Sequence, residues 1–124
     1  DLTQFCDVAR GHHRFYNGKG GYPENFDNCA SPDRIIIDLV TICDCLDAAT
    51  DRISRNYRKA KTVRQVLREF MEGAGTRYNP DLVRLMIENE TLVDTLSEMA
   101  ENGRNCFGVQ LCRKKREKWT ITPS

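Results

Sequence analysis

Histidine is almost missing from this chain: there are two in 124 residues, and they stand side by side at His12-His13. Charge of one sign is lacking too. Lys+Arg 19 against Asp+Glu 18 leaves a net charge of +1, which argues against a binder of nucleic-acid polymers. Long apolar runs are absent; the longest, Ile35-Ile36-Ile37, stops at Asp38, far short of the roughly 20 residues that cross a bilayer. No secretory leader is expected from this sequence. Repeats and low-complexity stretches are also missing, and the length allows one small domain at most. The first residue is Asp1 rather than methionine, so a processed, trimmed or truncated chain is expected.

Six cysteines are present, but no Cys-x-x-Cys pair, which removes support for a zinc knuckle or a thioredoxin-type site. Cys43 and Cys45 sit about 200° apart around a helix axis and cannot pair locally. Reduced, mostly buried thiols in a cytoplasmic protein are the expectation.

What remains is an ordinary soluble composition, 40% hydrophobic and 30% charged, with helical periodicity almost throughout. Leu2, Phe5, Cys6, Val8 and Ala9 form one stripe that ends near Gly11. Gly18, Gly20, Gly21 and Pro23 then impose a loop that runs on to Ala30. Ser31-Pro32-Asp33 supplies a capping hydroxyl, a first-turn proline and an acid for the next helix. Ile35, Ile36, Leu39, Val40, Cys43, Leu46, Asp47 and Thr50 carry that helix to about Ile53. A basic connector, Arg55-Asn56-Tyr57-Arg58-Lys59, follows. Thr62 caps a third helix that Gly73 ends, Asn79-Pro80 starts a fourth, and Leu92, Val93, Leu96 and Met99 mark a fifth. The fold class read from this pattern is all-α, a helical bundle. Periodicity fades after residue 103, and residues 104–124 read as a basic tail. Its Arg113-Lys114-Lys115-Arg116 run suits either solvent or a phosphate or membrane-surface contact.

Chemistry concentrates in two places. Two imidazoles at His12-His13 and a helix-borne carboxylate are a vocabulary for zinc, iron or manganese. Asp44 and Asp47 lie one helical turn apart and share a face, among Leu39, Val40, Cys43, Leu46 and Ala48. At least one is expected to be partly buried, which is costly without a partner or a metal. A salt bridge to Arg52, Arg55 or Arg58 is the alternative. Combined with the histidines, Asp44 reads as a ligand and Asp47 as a group that orients one. Arg55 and Arg58 suit a phosphate ester through bidentate hydrogen bonds; a solvated charge run is the alternative. The glycine loop lacks the Lys-Ser/Thr ending of a P-loop.

His-His, Gly21-Tyr22-Pro23, Asp44-x-x-Asp47, Arg55-x-Tyr57-Arg58-Lys59 and Gly75-Thr76-x-Tyr78-x-Pro80 occur in this order. In that order the chain resembles the C-terminal half of an HD-GYP domain, over about residues 2 to 88. HD-GYP domains are a branch of the HD metal-dependent phosphohydrolases. The resemblance implies a helical fold and an iron or manganese centre that hydrolyses cyclic di-GMP or a related phosphoester in bacterial signalling. It also implies possible homodimerisation, or linkage to other signalling domains. By position it makes His12, His13 and Asp44 metal ligands and Asp47 a second carboxylate. Gly21, Tyr22 and Pro23 would be the signature loop, and Arg55 and Arg58 the substrate-phosphate contacts.

Three departures stand out: Arg14 replaces the glutamate after the histidine pair, Asn17 an aspartate, and Asn56 a proline. The family's His-Asp dyad and an earlier histidine ligand belong upstream of His12. The 124 residues are therefore expected to supply only part of a centre and to be inactive in isolation. The opposing reading is a degenerate, non-catalytic helical module for dimerisation or ligand sensing. A helical domain with no such site is the third.

Overall fold

Burial of one face of each of four helices builds the core, and the helix from Val63 to Glu72 packs against the other three. The computed structural model describes residues 2–51 and 59–101. Five helices occur among them: α1 (Leu2–Gly11), α2 (Arg34–Thr50), α3 (Val63–Glu72), α4 (Pro80–Glu88) and α5 (Glu90–Glu101). The described residues form no strand, only isolated bridges at Arg14–Gly21 and Ala74–Tyr78. The fold is all-α. No helix among the described residues is long and apolar enough to cross a membrane. α2 ends at Thr50, short of the expected Ile53, because Asp51 already has extended backbone (φ −70°, ψ 110°). Arg52, Arg55, Asn56, Arg58, the stop at Asn102-Gly103 and the 104–124 tail lie outside the described residues.

Ile42, Val63, Val66, Leu67, Phe70, Tyr78, Val83 and Val93 form the buried cluster. Phe70, at 1% exposure, packs its ring against Tyr78 with centroids 4.6 Å apart. A side chain of this size contributes about 1.5–3 kcal/mol on burial.

Sequence signals set the later helix ends. Thr62 Oγ1 accepts from Gln65 N, while Thr62 N donates to Gln65 Oε1, a reciprocal box that satisfies two orphan amides at the start of α3. Asn79 Oδ1 accepts from Asp81 N at 2.9 Å to open α4. At α2 the expected start moves. Ser31-Pro32-Asp33 forms a turn, with Ser31 Oγ accepting from Asp33 N, and the helix begins at Arg34.

The buried face of α2 also differs from the expected stripe. Ile37, Asp38, Thr41, Ile42 and Thr50 are buried, with Cys45, Leu46 and Ala49 packed partly against the core. Ile35 at 57% and Leu39 at 50% are exposed, as is Cys43. Three consecutive isoleucines span about 200° of helix circumference, so the apolar pattern fits more than one face. The docking of α1 and α3 makes the choice. Among the described residues the expected burial of thiols fails with it: Cys6, Cys29 and Cys43 are free and exposed, and Cys45 is half-buried, while Cys106 and Cys112 lie outside the described residues. Phe5 is exposed as well, at 70%, so the α1 stripe does not face the core along its whole length.

The long loop between α1 and α2 is ordered by contacts from three sides. Gly11 sits so close to Ile37 that a Cβ there would meet the Ile37 side chain at 3.1 Å, which lets the end of α1 cross α2 closely. Tyr16 N donates to Arg77 O and Asn17 N to Thr76 O, which ties the loop to the turn before α4. Arg34 reaches back from α2, donating to Tyr16 O at 2.6 Å with its guanidinium 4.3 Å from the Tyr16 ring centre.

Candidate metal centre

His12 and His13 follow the last turn of α1, where the chain leaves helical geometry but keeps one helical contact. His12 N donates to Val8 O, and His12 Nδ1 lies 3.3 Å from the same carbonyl. A carbonyl only accepts, so Nδ1 is the donor in this contact, and Nε2 is the nitrogen turned toward Asp44. Metal-ligating histidines commonly show this arrangement, with the second ring nitrogen donating to a carbonyl. Thr41 Oγ1 is 2.8 Å from His12 O and 2.8 Å from Ile37 O of its own helix. It pins the backbone of His12 to α2 one turn before Asp44.

Asp44 therefore meets the histidines. His12 Nε2 and Asp44 Oδ2 are 4.0 Å apart. One donor atom each from His12, His13 and Asp44 fall within 4.8 Å of one another. With metal–ligand bonds of about 2.0–2.2 Å, two donors on one ion lie roughly 3–4 Å apart. His13 and Asp44 are exposed, so the small remaining rotation is cheap. Two imidazoles and one carboxylate fit zinc, iron or manganese. The residues present fit a divalent metal.

Asp44 is not buried as expected: its side chain is 53% exposed, and Asp47 is exposed too. Rotation of the buried face toward Ile42 and Cys45 turns both carboxylates outward. Asp47 does not join the cluster. It lines a separate, mostly apolar cavity of about 200 Å³ with Cys43, Leu46, Thr50, Leu96 and Met99. Arg55 and Arg58 lie outside the described residues.

The Gly21-Tyr22-Pro23 loop does come to the histidines. Tyr22 N donates to His13 O at 3.2 Å, and the Tyr22 ring stacks on the His13 ring with centroids 4.7 Å apart and an 18° interplanar angle. The peptide joining Tyr22 to Pro23 is cis. Gly21 has φ of +75°, and a Cβ there would stand 2.1 Å from His13 O. Only glycine allows this approach. Tyr22 remains 63% exposed, presenting an aromatic surface beside the cluster.

Two buried charged groups escaped the sequence reading. Arg14 is 9% exposed and Asp38 4%. Arg14 donates to Gly18 O at 2.5 Å and to Gly21 O at 3.3 Å. Asp38 accepts from Asn79 Nδ2 at 2.9 Å and lies 3.6 Å from Arg34 Nε. Asp38 directly follows the isoleucine run, which was the available signal, since a charge inside a core helix needs a partner. Deeper in the bundle, burial and the neighbouring Cys45 thiol push the Tyr78 phenol up to about 12. Desolvation likewise raises the Cys45 thiol above its ordinary value.

The chain matches no model of a known protein family, no curated protein and no solved structure.

Proposed function

We propose that this chain contributes part of the metal centre of an HD-GYP-like phosphohydrolase that cleaves a phosphodiester, cyclic di-GMP or a related phosphoester. The observation that supports this reading is the convergence of His12, His13 and Asp44, with donor atoms within 4.8 Å although 30 residues lie between His13 and Asp44. Iron or manganese is the metal proposed, completed by ligands from upstream sequence. When bound, such an ion supplies Lewis acidity toward the phosphodiester and acidifies water. His12 turns Nε2 toward Asp44, and the Val8 carbonyl fixes the ring. His13 backs the Tyr22 ring, whose exposed surface suits stacking on a nucleobase. Arg55 and Arg58 are proposed to meet the substrate phosphate. Asp47, outside the cluster, is proposed to orient a neighbouring group rather than to bind the ion. A cytoplasmic setting, and a homodimer or linked signalling domains, complete the proposal.

The test is metal content by elemental analysis, measured beside cyclic di-GMP hydrolysis. Both are made on this chain and on a longer protein that carries it with its preceding residues. The reading expects manganese or iron together with turnover in the longer protein, and loss of both in its His13→Ala variant. No bound metal after anaerobic loading with either ion would overturn it.

A second reading, a non-catalytic helical module, is favoured by Arg14. A buried cation stands where the resembled family has a carboxylate. Metal binding without turnover in the longer protein would select this reading.

A further inference from the structure

Arg14 is the most deeply placed cation among the described residues, and nothing in the proposed chemistry uses it. Its guanidinium touches two carbonyls, Gly18 O at 2.5 Å and Gly21 O at 3.3 Å. No carboxylate is paired with it among the described residues, and its Nε is buried without a hydrogen-bond partner. A buried cation satisfied only by carbonyl dipoles is costly to desolvate. What it holds is a loop that glycine makes pliable. Gly18 and Gly21 both have positive φ, +72° and +75°, and their carbonyls are the two that Arg14 grips.

The backbone of Arg14 pairs with Gly21 in an isolated bridge, and Tyr22 follows directly. The same residue thus closes the loop by its main chain and fixes the loop's curvature by its side chain. The planar fork of a guanidinium spans two separated acceptors in a fixed geometry, whereas the compact ammonium of lysine offers its three donors from one point on a flexible stem.

We propose that Arg14 is a positioning residue: by clamping Gly18 O and Gly21 O it sets the pose of Tyr22 against His13, and through it the orientation of the His13 imidazole. Its relevance to metal or phosphoester binding rests on the function proposed above; the clamp itself does not.

The stacking has a direct readout. The chain has two histidines, so their ring protons are easily assigned by NMR with a His12→Gln variant. In the full chain, Tyr22→Leu gives the His13 shifts without the tyrosine ring current. Arg14→Gln and Arg14→Ala should move the His13 ring protons most of the way to those values. Arg14→Lys should move them part of the way. Millimolar methylguanidinium should restore the wild-type shifts in Arg14→Ala. Should Arg14→Ala fail to fold, Arg14→Lys and Arg14→Gln carry the test. Wild-type His13 shifts in folded Arg14→Lys and Arg14→Gln, even with a lowered melting temperature, would overturn the proposal and leave Arg14 a stability residue only.

Manganese titration of the same proteins separates the two ideas. Binding weakened about tenfold in Arg14→Gln, the size of effect seen when a ligand loses its orienting partner, extends the clamp to the metal. If the longer wild-type protein binds no manganese, the function reading fails while the ring-current comparison still decides the role of Arg14.

Discussion

Asn79 and Asp38 face each other inside the bundle, amide Nδ2 to carboxylate Oδ2 at 2.9 Å, across 41 residues of sequence. One amide performs two tasks. Its oxygen caps α4 through Asp81 N, and its nitrogen satisfies a carboxylate that is 4% exposed. Arg34, 3.6 Å from the same oxygen of Asp38, joins this pair to the loop through Tyr16 O. The path runs from the cap of α4, through α2, to the segment that carries the histidines.

Replacing Asn79 by aspartate keeps the cap but sets a second carboxylate against Asp38. Asn79→Asp is therefore expected to destabilise more at neutral pH than in mild acid. Asn79→Ala removes both bonds and is expected to cost about 2–4 kcal/mol, from a lost cap and a buried carboxylate deprived of a donor. Urea unfolding of the two variants checks both statements. An Asn79→Asp protein as stable as the wild type would show that Asp38 does not need the amide.

Gly21 has no tolerable substitute. With φ of +75° and a Cβ position 2.1 Å from His13 O, Gly21→Ala must open the loop or shift His13. The expected result is loss of the Tyr22–His13 stack with little change in helix content and, under the proposed function, metal affinity lowered about tenfold or more. Circular dichroism and metal titration measure the two effects separately. Gly75→Ala is the control: it shares a positive φ, and a Cβ there meets nothing within 4 Å.

The two faces of α2 should respond differently to substitution. Ile42→Ala, at a position 2% exposed, is expected to cost about 2–5 kcal/mol. Leu39→Ser, at 50% exposure, should change stability by no more than about 0.5 kcal/mol. Equal losses in thermal unfolding would mean that the outer face of α2 is covered in the folded protein.

Alkaline pH tests the environment of Tyr78. Burial and the Cys45 thiol raise its phenol from 10.0 to about 12. Below pH 10 the phenol is neutral whether the chain is folded or unfolded. Between about pH 10 and 12 the unfolded phenol ionises first, so the folded state holds more protons and stability falls as pH rises. Tyr78→Phe should flatten this slope in urea unfolding and delete the tyrosinate absorbance step near pH 12. An unchanged slope would place the pH dependence elsewhere.

Local rules explain why so much of the fold is legible in the sequence. Thr62 with Gln65, and Asn79 with Pro80, announce their helices because capping depends on neighbours within one turn. Gly18, Gly20 and Gly21 mark the loop because conformational freedom is a property of the residue itself. His12, His13 and Asp44 could be named as partners from residue type and order. Their meeting within 4.8 Å depends on Thr41, which ties His12 O to α2, and on Gly11, which lets α1 approach Ile37.

The buried face of α2 could not be read from its own sequence. Ile35, Ile36 and Ile37 cover more circumference than one interface uses, so the packing of α1 and α3 selected Ile37 and Ile42 and left Ile35 and Leu39 outside. That selection turned Asp44 and Asp47 outward and buried Asp38, whose partner Asn79 lies 41 residues away. Arg14 follows the same logic, since the carbonyls it grips exist as a pair only once the loop has closed. The sequence alone determined the ends of α3, the start of α4 and which residues can ligate, because those are short-range properties. Tertiary structure alone decided which faces are buried and which charges are enclosed, because burial depends on what the rest of the chain brings to each surface.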